Sequence, residues 1–81
     1  MNTLTAAAIT PITYNIEKIL KAHGLECQVI KDRTFEVYNS TKKNNVWITE
    51  TITVNVDGIV DVFCSDGTVG YDNSLMAYLG Y

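Results

Sequence analysis

Apolar residues recur along this chain at two periods, and the change from one to the other divides it. Ile12, Ile16, Ile19 and Leu20 stand at i, i+4, i+7 and i+8, one stripe of an amphipathic helix. Thr10-Pro11 marks its start: a Thr side chain can cap free N–H groups, and Pro suits the first helical position. Ile9 and Tyr14 hold the two positions of a hydrophobic staple. Lys21 and His23 lie near the negative end of the dipole, and Gly24 is a natural stop. The pattern predicts a helix over 11–23, with 3–9 adding a loose turn before it.

Beyond Gly24 the period falls to two. Residues 26–31 and 34–38 are β-rich runs around Asp32-Arg33, which predicts a hairpin, and the polar stretch 39–45 predicts a loop. Residues 46–56 form the clearest strand. Val46, Ile48, Glu50, Ile52, Val54 and Val56 occupy one face; Trp47, Thr49, Thr51, Thr53 and Asn55 occupy the other. Asp57-Gly58 and Asp66-Gly67 are tight-turn signals nine residues apart, each followed by two residues ending in Val. At the first of them a two-residue turn would put Val60 and Val62 on the Thr face. A three-residue turn with Gly58 as a bulge instead pairs Val54 with Val60 and Ile52 with Val62, which keeps the apolar sets together and is the expected register. The second turn leaves both registers open. Asp72-Asn73 can cap a final helix over 74–79, held down by Leu75, Met76 and Leu79 and stopped by Gly80. The expected fold class is α+β: an N-terminal helix packed on a four- to five-stranded antiparallel β-meander, with a short C-terminal helix.

Length and composition narrow the picture. Eighty-one residues make one domain, 1–81, with little room for both a core and a deep cavity. An apolar fraction of 47% with 19% charged residues is that of a folded globular chain rather than a disordered one. No apolar run approaches the roughly 18 residues of a membrane-crossing helix. The first residues lack the basic flank of a signal peptide, so a cytoplasmic location and no membrane partner are expected.

The charge is uneven. Residues 1–43 carry six basic and four acidic groups; residues 44–81 carry five acidic groups and neither Lys nor Arg. Direct nucleic-acid binding is disfavoured, since phosphate contacts need clustered cations and Lys42-Lys43 is the one adjacent pair. Two cysteines and one histidine do not supply a metal set, and the aspartates do not follow the twelve-residue calcium pattern. Cys27 and Cys64 are expected as small buried thiols, with a single disulfide between two strands as the alternative. A His23–Cys27 nucleophile pair lacks a third group to orient the imidazole, and His23 is better placed as a helix C-cap. Glu50, on the apolar face, either lies near an edge, reaches water, or pairs with Lys18 or Lys21. No catalytic residue, metal or cofactor is expected, and the chain is not expected to be an enzyme.

What remains is a surface. Trp47 falls on the Thr face, Phe63 shares that face in the bulged register, and Tyr71 is a further candidate. Trp47, Thr49, Thr51, Asp57, Asp61, Asp66 and Asp72 form the expected protein-binding set, suited to a basic surface of a partner, including that of a nucleic-acid-binding complex. In size, acidity and lack of catalytic motifs the chain is similar to small phage-encoded inhibitors of bacterial defence, including anti-CRISPR proteins. That likeness is one of class and rests on no shared motif. It implies an inhibitor that competes for a nucleic-acid-binding surface. The alternative is a structural subunit that forms a homodimer through an open sheet edge.

Overall fold

The structure, a computed structural model, describes the backbone of residues 9–43 and 46–81 and the side chains of 9–38 and 48–81. Helix α1 (Pro11–Ala22) is followed by β1 (Glu26–Lys31), β2 (Thr34–Lys43), β3 (Val46–Val54), β4 (Val60–Cys64), β5 (Val69–Asp72) and a one-turn helix α2 (Leu75–Tyr78). The strands form one antiparallel sheet in the order β1-β2-β3-β4-β5, so the expected α+β meander is the fold. Helix α1 packs against one face, where Ile16 and Leu20 enter a core with Phe35, Val37, Ile52, Val54 and Val60.

Local chemistry explains the helix ends. The backbone N–H groups of Gly24 and Leu25 donate to the carbonyls of Lys21 and Leu20, with Gly24 at φ 85° as the left-handed residue this cap requires. His23 adds a side-chain cap, its Nδ1–H donating to the Ile19 carbonyl at 2.9 Å. At the other end Pro11 stands in the first turn as expected, but the Thr10 side chain does not cap. Its hydroxyl turns to Asp32 instead, where a carboxylate acceptor makes the stronger bond. The buried stripe is also rotated from the expected one. Thr13 is fully buried beside Ile16 and Leu20, while Ile12 and Ile19 are exposed, because Thr13 has polar partners in the β1–β2 turn.

Those partners tie helix to sheet. Asp32 Oδ1 accepts the Thr10 N–H (2.8 Å), the Thr10 hydroxyl (2.8 Å) and the Thr13 hydroxyl (2.6 Å). Arg33 lies in the left-handed region at φ 59°, a strained position for a side chain with a Cβ. Four bonds hold it there. Its N–H donates to Thr13 Oγ1, its carbonyl accepts the Val54 N–H, and Nη1 donates to the carbonyls of Val54 and Asn55. The Thr10 N–H, followed by the Thr13 and Thr10 hydroxyls, holds the Asp32 carboxyl below its ordinary range. A depressed folded value gives stability that is present above the unfolded value of about 3.9 and lost as pH falls through the folded one. Urea unfolding of the native chain is therefore expected to show a midpoint that drops on acidification below about pH 4. Asp32→Asn is expected to be less stable at neutral pH and to show a flatter acid limb.

The strand register follows the apolar pattern. Val54 pairs with Val60 and Ile52 with Val62, as the bulged turn requires. Asn55 and Ile59 flank a three-residue turn in which the Gly58 N–H donates to the Asn55 carbonyl and Gly58 takes φ 93°. The same device closes β4–β5: the Gly67 N–H donates to the Cys64 carbonyl, and Gly67 takes φ 92°. Asp57 Oδ1 and Asp66 Oδ1 accept the N–H groups of Ile59 and Thr68, two residues on, so the Asp-Gly echo is one turn used twice.

Three further expectations change. The loop expected over 39–45 is strand as far as Lys43, because backbone pairing continues past Tyr38 through an irregularity to Lys42↔Trp47 and Lys43↔Val46; residues 44 and 45 lie outside the described residues. The C-terminal helix is capped by the Ser74 side chain, which accepts the Ala77 N–H, and not by Asp72-Asn73. Tyr78 replaces Met76 as the residue that joins Leu75 and Leu79 against the core, and Met76 is exposed. The loose turn expected before α1 lies outside the described residues except for Ile9.

Candidate functional site

With α1 on one face, the sheet's other face is set by register alone. One row across it runs Gln28, Glu36, Thr51, Phe63, Val69. The next runs Lys31, Thr34, Thr53, Asp61, Tyr71. A third brings Glu26 beside Tyr38 and Thr49. On β4 and β5 this surface is strongly apolar and open to water: Phe63 is 56% exposed, Val69 69% and Tyr71 67%. Between them lies a shallow groove of about 290 Å³ formed by Thr51, Thr53, Asp61, Phe63, Val69 and Gly70. Large exposed side chains grouped on one surface are a mark of an interaction site, whereas scattered ones are not.

Polar bonds fix the rim of this surface. Asn55 Nδ2 donates to Asp61 Oδ2 at 2.9 Å and so orients the carboxylate beside Tyr71. The Thr34 and Thr53 hydroxyls meet at 3.2 Å. The Tyr38 hydroxyl donates to Glu36 Oε1 at 2.6 Å, and that bond is the first cause raising its pKa above the ordinary phenol value. Lys31 ends the Asp61 row at the far edge, three strand spacings (about 14 Å) from Asp61. Strands β3, β4 and β5 contain no Lys or Arg.

The residues expected to bind a partner are divided by this geometry. Thr49, Thr51 and Asp61 lie on the face opposite α1, the two threonines half-buried and Asp61 exposed. Asp57 and Asp66 sit in the turns at opposite ends of β4, roughly 15–20 Å apart for a five-residue strand. Asp72 pairs with Val60 and belongs to the core-side register. The aspartates therefore form no single cluster. The Trp47 backbone pairs with Lys42, and its side chain lies outside the described residues. Val69 and Tyr38 were absent from the sequence-derived set. Placing Val69 and Tyr71 depended on the second turn, whose register the local sequence leaves open.

The remaining chemical candidates are settled by position. Cys27, Val37, Glu50 and Cys64 form one row on the core side, so the two sulfurs belong to strands three spacings apart, beyond disulfide reach, and no disulfide joins them. Burial, and then the Glu17 carboxylate, push the Cys27 thiol up against the opposing pull of Lys21, the reverse of an activated nucleophile. Neither Lys18 nor Lys21 partners Glu50. Lys21 pairs with Glu17 at 3.3 Å, and Glu50 Oε1 accepts the Tyr78 hydroxyl at 2.5 Å. Burial first, and that bond second, hold the Tyr78 hydroxyl far above the ordinary phenol range. A raised folded value gives stability that is complete below the unfolded value of about 10 and lost as pH rises through the folded one. Thermal melts are thus expected to fall above about pH 10, and Tyr78→Phe to remove much of that alkaline loss.

Among the described residues no group of three or more His, Cys, Asp or Glu is placed to hold a metal, and no helix is long and apolar enough to cross a membrane. No protein-family model, curated protein or solved structure matches this chain.

Proposed function

We propose that the chain is a protein-binding module that docks a basic surface of a partner through the uncovered face of β3–β5. The observation that carries this reading is the grouping of exposed Phe63, Val69 and Tyr71 around Asp61, on strands that hold no cation. The aromatic groups provide area that gains free energy when covered, and the carboxylate favours a partner of opposite sign. The half-buried threonines beside them offer hydroxyls to a partner's polar groups without large desolvation. In its narrower form the partner is a cytoplasmic nucleic-acid-binding complex, and the module inhibits by occupying the basic surface on which nucleic acid would lie, in the manner of a phage-encoded anti-defence protein.

Capture of partners from a cell lysate tests this. The native chain is expected to retain a basic protein at about 50 mM salt and release most of it by about 500 mM, where the Debye length has shrunk to a few ångströms. Asp61→Asn is expected to weaken retention at low salt and to reduce its salt dependence. Retention that is insensitive both to salt and to Asp61→Asn contradicts the reading. Sedimentation of the pure protein separates it from self-association: a stable dimer that covers Phe63 and Tyr71 would assign this face to a second copy.

A further inference from the structure

On the core side of the sheet, away from the face just described, a cavity of about 410 Å³ opens between α1, β3 and the C-terminal helix, lined by His23, Leu25, Glu50, Tyr78, Leu79 and Tyr81. Its composition is unusual for a gap at the margin of a core. A half-buried carboxylate stands among two leucines and three aromatic rings. The His23 and Tyr81 rings meet edge to face with centroids 5.4 Å apart, so two of the walls brace each other. Tyr78 donates to one oxygen of Glu50, and among the described residues no Lys or Arg pairs with that carboxylate.

We propose that this cavity binds an organic cation, a guanidinium or ammonium group on a short alkyl stem. Three classes of ligand can be compared. An anion would meet Glu50 directly and Asp72 nearby; the latter is close enough to Tyr78 to help raise its pKa. A neutral apolar ligand would strip water from Glu50 and leave its charge uncompensated, which is costly. A cation satisfies the carboxylate, and the ring faces add attraction of their own. The leucines accept the stem. The same chemistry is presented by a free alkylamine metabolite and by an arginine or lysine side chain of a protein. Neither depends on the partner surface proposed above.

A nitrogen-15 NMR titration with agmatine, N-acetyl-arginine amide and neutral butylurea tests the proposal on the whole chain. Agmatine, the capped arginine or both are expected to shift the amides of Glu50, Tyr78 and Tyr81, and butylurea is expected to leave them in place. Glu50→Gln retains an acceptor for the Tyr78 hydroxyl while removing the charge, and is expected to weaken cation binding at least tenfold with an otherwise native spectrum. Preference for agmatine assigns a free amine, and preference for the capped arginine assigns a side chain. The proposal is overturned if no cation moves the cavity resonances, if butylurea binds as tightly, or if Glu50→Gln binds as the native chain does. A Glu50→Gln chain that fails to fold is replaced by Tyr81→Ala, at the exposed rim, which is expected to weaken cation binding severalfold; unchanged affinity there also overturns the proposal.

Discussion

Replacing Phe63 and Tyr71 together by alanine is expected to abolish partner capture while leaving the fold in place. Both rings stand on the uncovered face, more than half exposed, and neither belongs to the core. Surface substitutions outside special features cost roughly 0.5 kcal/mol or less, so unfolding midpoints should move little. Binding is another matter. Aromatic side chains at the centre of an interface cost about 2 kcal/mol or more each on truncation, so the pair is expected to weaken affinity by roughly a thousandfold. Capture with normalised protein, together with circular dichroism of the same preparations, checks both halves. Full capture by a folded double variant would remove this face from the account.

The opposite behaviour is expected of the other phenylalanine. Phe35 is 0% exposed, pairs with Val29 and Ile52, and lies in the core with Ile16 and Leu20. Phe→Ala in such a position costs about 3–5 kcal/mol through lost transfer energy and the cavity left behind. A domain of this length has a total of about 4–12 kcal/mol, and short chains bury the smaller share of their surface. Phe35→Ala is therefore expected to be largely unfolded or to melt far below the native chain, with partner capture lost for that reason alone. Phe35→Leu should retain a cooperative transition at a lower midpoint. Chemical denaturation of the two variants separates these outcomes, and a Phe35→Ala chain as stable as the native one would contradict the core described here.

The two phenylalanines also show how far the sequence could be read. Both stand in strands, and alternation assigns them to opposite faces once the register is known. The first Asp-Gly turn could be solved because a slip of one residue would have placed Val60 and Val62 among the threonines. Its neighbour could not, since Val69, Gly70 and Tyr71 are not apolar enough on either face to choose. That gap hid the exposed Val69 and left Tyr71 uncertain. The helix boundaries were legible from Pro11 and Gly24. Its buried stripe was not, because Thr13 is buried for its bonds to Asp32 and Arg33, partners some twenty residues away. Composition likewise revealed an excess of acid in the second half but not its distribution. Asp57 and Asp66 are used by their turns at opposite ends of β4, and Asp72 falls to the core side. Glu50 was visible as a charge on an apolar face, while its partner Tyr78 came from a helix whose packing residues the local pattern misassigned.

The most direct test is a hydrogen-exchange footprint of the captured complex. Amides of β4 and β5, from Val60 to Asp72, are expected to slow when the partner is bound, while those of α1 stay unchanged. Protection confined to α1 and β1, with β4 and β5 exchanging as in the free chain, would place the docking surface elsewhere.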